Sequence, residues 1–366
     1  MCKHCQSSPP LSLLQNTAPP LYSSWSSGQY YLWTRNVFRV NLGPGEGQLA
    51  GEFRWKRSRN FESSGEYRKF CKSSCVFKVD FWVFKCFSPP GSNTGIGKVT
   101  AVDLARRGAR VVLACRSKER GEAALVDVKR ESGSDNVVFM QLDLGSLTSV
   151  RTFAETFLKT EARLDILINN AGVYMQGRTA DGLGMMFGVN HIGHFLLTHL
   201  LLERLKRCGP SRVVNVSSTA HNFGKIDFDC LNTHKALGLG TSFMEVLQVY
   251  SDSKLCNVLF THELAKKLQG TDVTCYSLHP GAINTELARN TSSVLQMCLK
   301  PFTAFFFKNP VQGAQTTLHC ALQEGLEPLS GRYFSNCTVR NVYAKAKDDA
   351  AAKKLWEFSE RVCGLV

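Results

Sequence analysis

The sequence predicts an α/β fold: a doubly wound parallel sheet with helices on both faces, preceded by an irregular N-terminal extension. Three observations carry this expectation. Between residues 110 and 169, short apolar runs alternate with runs of helical apolar spacing, the pattern that buries a parallel sheet between two helical layers. Gly91-Ser92-Asn93-Thr94-Gly95-Ile96-Gly97 stands directly ahead of a helical run at 99–107. Later strand-like runs end in small or polar residues, as in Asn169-Asn170-Ala171-Gly172, Ser217-Ser218 and Pro280-Gly281. In such folds ligands bind at the carboxyl ends of the strands.

Composition sets the limits. A chain of 366 residues suits one large α/β domain, or one domain plus an extension. Hydrophobic content of 43% and charge of 20% are ordinary for a globular protein. No run of about 18 apolar residues occurs, so no transmembrane helix is expected. The longest apolar-aromatic patch, 294–307, is interrupted by Lys300 and Pro301. The opening Met-Cys-Lys-His-Cys lacks the basic-then-apolar pattern of a signal peptide.

Net charge is +14, and residues 1–90 hold 12 Lys/Arg against 5 Asp/Glu, a local +7. Half the excess therefore sits in the first quarter of the chain. Phe53-Arg54-Trp55-Lys56-Arg57-Ser58-Arg59 has the basic-aromatic composition that nucleic acid or an anionic membrane attracts. A solvated extension has the same composition, and no nucleic-acid partner is expected. The fourteen cysteines are mostly scattered singly through apolar elements, as free thiols are in a reducing compartment. Cys2 with Cys5 and Cys71 with Cys75 lack a second pair to complete a zinc site, so no metal is expected.

In chain order, residues 1–75 show no sustained period and are broken by Ser-Pro-Pro, Ala-Pro-Pro and Gly-Pro-Gly clusters. They read as an irregular basic extension, with residues 76–366 as the folded domain. Residues 76–87 alternate in polarity, which argues for a half-buried strand, and Ser88-Pro89-Pro90 follows. After the glycine loop come a strand at 110–115, a helix at 119–131, a strand at 137–142, a helix at 147–157 and a strand at 164–169. A helix from about 184 to 206, a strand at 212–216, a helix from 250 to 268, a strand at 273–279 and a final strand at 332–335 complete the pattern.

Four positions then carry chemical meaning. Glycines in the loop permit close backbone approach, and the helix N-terminus behind them offers unpaired N–H groups to a phosphate. Arg116 ends the second strand of the domain, where an arginine accommodates a ribose 2′-phosphate; a solvent-facing strand-end arginine is the alternative. Asp143 ends the third strand, placed either to accept from an adenine amine or simply to close a turn. Tyr250 and Lys254 are four residues apart on one helical face. An ammonium there favours the phenolate and moves the phenol towards general acid–base work at neutral pH. Tyr343 and Lys347 repeat the spacing, and spacing alone does not choose between the two pairs. His191 and His194, at i and i+3, read as packing residues, and the Asn215 sequon falls in a core strand.

Taken in order, the motifs GxxxGxG, NNAG, NHxGHF, VNVSS, YxxxK and HPG resemble the short-chain dehydrogenase/reductase family over residues 91–366. ACRS, NHIGHFLLT and CALQEGLEPLSGRYFSNC are similar to its retinol-dehydrogenase-like branch. The resemblance implies a Rossmann-like domain in which Tyr250 is the acid–base and Lys254 lowers its pKa and holds the nicotinamide ribose. It implies that Ser218 bonds the substrate oxygen and that Asn190 orders a proton-relay water. The implied cofactor site is Gly91, Ser92, Asn93, Thr94, Gly95, Ile96, Gly97, Arg116, Asp143, Asn170, Ala171, Gly172, Tyr250, Lys254, Pro280, Gly281 and Thr285. With Arg116 the expected cofactor is NADP (NADPH), with NAD as the alternative. The resemblance also allows a homodimer, peripheral membrane contact and an endoplasmic-reticulum location.

Two departures stand against the family pattern. Pro90 holds the position of the family's threonine, Pro89 precedes it, and Lys78, Asp80 and Lys85 fall in a strand that should be apolar on both faces. Residues 1–88 are therefore expected not to be the family's native beginning, and a non-catalytic binding protein with an impaired cofactor site is the rival function. The Gly-containing stretch 233–243 and the patch 294–307 point to an apolar substrate mouth. The expected function is an NADP-preferring oxidoreductase interconverting a carbonyl and an alcohol on a retinoid- or lipid-like substrate by hydride transfer.

Overall fold

The computed structural model describes residues 95–228, 242–281 and 309–366, together with the backbone of 82–85. Outside the described residues lie the expected extension 1–75, the cysteines Cys2, Cys5, Cys71 and Cys75, most of 233–243, and the patch 294–307. Five site residues, Gly91, Ser92, Asn93, Thr94 and Thr285, lie outside them as well.

The described strands form one sheet of eight in the order β3-β2-β1-β4-β5-β6-β7-β8. They are β1 (Trp82–Lys85), β2 (Val111–Cys115), β3 (Val137–Gln141), β4 (Ile166–Asn169), β5 (Ser211–Val216), β6 (Val273–His279), β7 (Tyr333–Ser335) and β8 (Thr338–Arg340). All neighbours pair in parallel except β7 and β8. Of the strand expected over 76–87, Trp82–Lys85 are described and form β1; the rest lies outside the described residues. β1 occupies the middle of the sheet, with Trp82 opposite Val111 on one side and Ile166 on the other. Pro89 and Pro90 lie outside the described residues.

Strands buried on both faces must be apolar throughout, and all five residues of β2 are buried. Their side chains alternate between two cores. Val112, Ala114, Leu167, Val213 and Cys275 join one cluster, while Val111, Leu113, Ile166, Ile168, Val214 and Leu278 join the other. The first is covered by α3 (Leu147–Thr160), α4 (Met185–Arg207), α5 (Phe243–Lys267) and α7 (Asp349–Val362). The second is covered by α1 (Ile96–Arg106), α2 (Lys118–Ser132) and α6 (Pro310–Leu322). Helices on both faces of a parallel sheet make the fold Rossmann-like, as expected.

Local signals set the helix ends. Ser117 and Ser146 cap α2 and α3 through their side chains, and Gly133 closes α2 at φ 72°. α4 has a window of mean hydropathy 1.2, yet 78% of that window is buried within the fold, so here it is a core helix. Among the described cysteines all are free and only Cys337 is not fully buried.

Three expectations on element bounds need correction. α5 begins at Phe243, not Tyr250, because Ser242 and Glu245 form a reciprocal capping box. β7 is not the last strand, since Asn336 and Cys337 turn at φ 53° and 56° into β8. α6 and α7 were not foreseen at all.

Candidate active site

Parallel pairing puts the carboxyl ends of β2, β4, β5 and β6, and the start of α1, at one edge of the sheet. Most of the described site residues gather there, joined by Tyr250 and Lys254 from α5.

α5 presents both residues one turn apart. The Lys254 Nζ lies 5.7 Å from the Tyr250 ring centroid. Lys254 is 3% exposed, and its Nζ donates to the Val216 carbonyl at 3.3 Å. Its backbone carbonyl accepts from the Ser217 hydroxyl at 2.7 Å, which ties the helix to the end of β5. The next residue, Ser218, opens the short 3-10 turn Thr219–Phe223, and its Oγ accepts the Ala220 N–H at 3.2 Å.

The charges behave differently from the expectation. Burial pushes the Tyr250 phenol up to about 12; a hydrogen bond from Ser218 opposes this, and Tyr174 adds to it. Burial also brings the Lys254 ammonium down to about 8. The spacing argument has the ammonium lowering the phenol, whereas in the folded chain burial of the phenol is the largest influence and raises it. In this state Tyr250 is a protonated acid at neutral pH, and most Lys254 is still charged.

Asn190 sits in a π-helical turn, Gly188–Ile192, that interrupts α4; such turns recur at functional sites. Its Oδ1 accepts the Val173 N–H at 2.7 Å, and its Nδ2 donates to the Val173 carbonyl at 3.0 Å and to Ser253 Oγ at 2.9 Å. The side chain therefore clamps the loop after β4 to α5. Gly172 completes that contact, since a Cβ there would stand 3.0 Å from Lys254 Nζ. Ala171 is buried beside it.

The remaining cofactor candidates lie along the same edge. Gly95 caps α1 without any side-chain hydrogen bond, and a Cβ on it would meet nothing within 4 Å. Gly97, the second residue of α1, is buried, after the half-buried Ile96. Arg116 is exposed at the end of β2, its carbonyl accepting from Gln141 Nε2 at 3.1 Å. Asp143 uses its Oδ1 to accept the Gly145 N–H at 2.9 Å, so it does close a turn. Pro280 is buried, and Gly281 adopts φ 103°, a conformation that favours glycine. The N-terminus of α1, the small residues of the β4 loop and the exposed cation at β2 together fit an elongated anionic dinucleotide.

The rival pair is set aside. Tyr343 is 65% exposed and only flanks the 3-10 turn Ala344–Ala346, with no helical face shared with Lys347. His191 is buried, with Nε2 3.0 Å from Ser359 Oγ, and burial holds it down to about 3, as a packing residue would be. Asn215 is a core residue bonded to Asn169 and Thr261.

Two residues were missed. Tyr174 meets the Tyr250 ring edge-on at 5.4 Å; an aromatic two residues past NNAG was its only signal. Ser253, bonded to Asn190, is one of the intervening residues that the YxxxK motif leaves unspecified.

Comparison with known proteins agrees in outline. A family model described as short chain dehydrogenase matches residues 90–236. Dehydrogenase/reductase SDR family member 13 of Bos taurus is 56% identical over 276 residues, 75% of this chain and 72% of that one. Retinol dehydrogenase 11 of Homo sapiens is 51% identical over 277 residues, 75% of this chain and 84% of that one. Among solved structures, a variant of actinorhodin polyketide ketoreductase with NADPH superposes with a TM-score of 0.54 at 21% identity, covering 70% of this chain and 95% of that one. Salutaridine reductase from Papaver somniferum gives 0.53 at 22% identity, covering 70% and 99%. At these identities the structures speak for the fold.

Proposed function

The chain belongs to the short-chain dehydrogenase family and is an NAD(P)-dependent oxidoreductase related to the retinol dehydrogenases; from that premise we propose that it reduces an apolar aldehyde or ketone with NADPH, using Tyr250 as the acid. One observation carries the reading: Tyr250, Lys254 and Ser218 converge at the carboxyl edge of the sheet, the edge at which α1 begins. Residues 76–366 are read as the catalytic domain.

A nicotinamide cofactor, when bound, supplies the hydride. The chain's own groups do the rest. The Ser218 hydroxyl, oriented by the Ala220 N–H, donates to the carbonyl oxygen of the substrate. Tyr250 gives its proton to the same oxygen as the carbon is reduced, leaving a phenolate. A phenol raised to about 12 holds that proton at neutral pH until charge builds on the oxygen. The Lys254 ammonium then faces the phenolate it was placed beside, so the charge separation is smaller than it would be without it. Asn190 acts first as a clamp between the β4 loop and α5. Its expected water-ordering role is kept as part of this proposal.

NADP preference rests on Arg116, whose exposed guanidinium suits a 2′-phosphate. The apolar substrate rests on two supports. Retinol dehydrogenases 11 and 12 of Homo sapiens carry an apolar alcohol in their names. Phe223, Phe243 and Met244 are 73%, 68% and 68% exposed, at the end of the Ser218 turn and the start of α5.

The test is a titration of the full chain with NADPH and NADH by tryptophan quenching, followed by NADPH oxidation with apolar aldehydes, retinal among them. Micromolar NADPH binding, weaker NADH binding and aldehyde-dependent turnover are expected. Absence of binding by either nucleotide would sink the proposal and favour the non-catalytic alternative.

A further inference from the structure

We infer that Lys345, Gln248 and Asp252 form a clamp that fixes the turn carrying Ser218 against the helix carrying Tyr250. Its consequence for catalysis rests on the function proposed above; its geometry does not. The turn Thr219–Phe223 is too short to satisfy its own last backbone groups. Side chains do so instead at four successive residues. Lys345 Nζ donates to the Asn222 carbonyl at 2.8 Å and to the Gly224 carbonyl at 2.7 Å. Gln248 Nε2 donates to the Phe223 carbonyl at 3.0 Å. The Lys225 N–H donates at 2.6 Å to Asp252 Oδ1, which also accepts from Gln248 Nε2 at 2.7 Å.

Placement gives the network its meaning. Gln248 and Asp252 stand two residues before and two residues after Tyr250, so the helix that holds the acid also holds the turn. Gly224 packs so close to α5 that a Cβ on it would lie 2.6 Å from the Ser251 carbonyl oxygen. Lys345 adds an anchor from a distant part of the chain, 121 residues beyond Gly224. It falls inside the second Tyr-x3-Lys match, yet it is neither member of that pair. None of the three side chains is assigned a contact with substrate; they are positioning residues, and Lys345 is the one reached from outside α5.

Lys345 is exposed, so its replacement tests the clamp with little risk to folding. The full chain, Lys345→Met and Lys345→Arg are compared by hydrogen exchange and by NADPH-dependent aldehyde reduction. Two charge-assisted hydrogen bonds are lost in Lys345→Met, so amide exchange across 219–225 is expected to rise about tenfold, with the rest of the domain unchanged. The kcat/KM for the aldehyde should fall about tenfold while the NADPH Kd stays within a factor of about two, a split that general destabilisation does not produce. Lys345→Arg retains donors for both carbonyls and should restore both readouts. Gln248→Leu, which removes the Phe223 and Asp252 bonds, should show the same local exchange signature. Unchanged exchange over 219–225 in both Lys345→Met and Gln248→Leu, or faster exchange spread over the whole domain, would overturn the clamp. If the wild-type chain reduces no aldehyde, the catalytic reading fails, and the exchange data still decide the clamp.

Discussion

The Asn190 side-chain amide donates to the Ser253 hydroxyl at 2.9 Å, so the π-helical turn of α4 is bonded directly into the Tyr250–Lys254 segment of α5. The same amide satisfies both backbone groups of Val173, which is 3% exposed. Asn190→Ala should therefore cost about 2–4 kcal/mol of stability in chemical denaturation, because it leaves the Val173 N–H and carbonyl buried without partners. Activity should fall with it.

Gly172→Ala separates position from stability. The added methyl would stand 3.0 Å from Lys254 Nζ, the far end of a long side chain that can move away. Stability should change by less than about 1 kcal/mol, while kcat/KM drops roughly 10- to 100-fold as the ammonium is displaced. A melting curve and steady-state kinetics on one preparation check both halves.

Arg116→Glu should reverse nucleotide preference. It removes a cation suited to a 2′-phosphate and puts in its place a carboxylate able to accept from ribose hydroxyls. NADPH affinity should weaken about 10- to 100-fold and NADH affinity should hold or improve, measured by fluorescence titration.

Asp252 carries a pH signature. Burial raises its carboxyl from 3.8 to about 6, against the Lys225 N–H and the Gln248 amide that lower it. Between those two values the folded chain binds more protons than the unfolded one, so this residue makes stability fall as pH rises from about 4 to 6. Asp252→Asn keeps an acceptor for both bonds and loses the buried charge. It should match wild type below about pH 4 and exceed it by roughly 2–3 kcal/mol above about pH 6. Denaturation at a series of pH values reads the gap directly.

Much of this was legible in the chain because period and burial agree. β2 to β6 sit where apolar runs ended at Asn169, Val216 and His279, since a strand buried on both faces leaves little choice of residue. The start of α5 was not legible from the Tyr250 motif, as its signal, Ser242 with Glu245, lies at the border of a glycine-containing stretch. α7 was hidden by a polar surface, although Leu355, Trp356 and Phe358 pack inward. The choice of Tyr250 and Lys254 over Tyr343 and Lys347 came from the order of the motifs and the resemblance they carry, as did Ser218, because spacing alone matched both pairs. The direction of the Tyr250 shift was not legible, because desolvation belongs to what surrounds a residue and not to its neighbours in sequence. Lys345 was illegible for the same reason: the two carbonyls it bonds lie 123 and 121 residues away.

The most direct measurement of the central claim is NADPH-dependent reduction of an apolar aldehyde by the full chain and by Tyr250→Phe, with NADPH affinity determined on both. Loss of the phenolic proton should lower kcat by about a thousandfold or more, leaving the NADPH Kd within a factor of about three. A Tyr250→Phe chain that binds NADPH and still turns over at a rate near wild type would contradict the account.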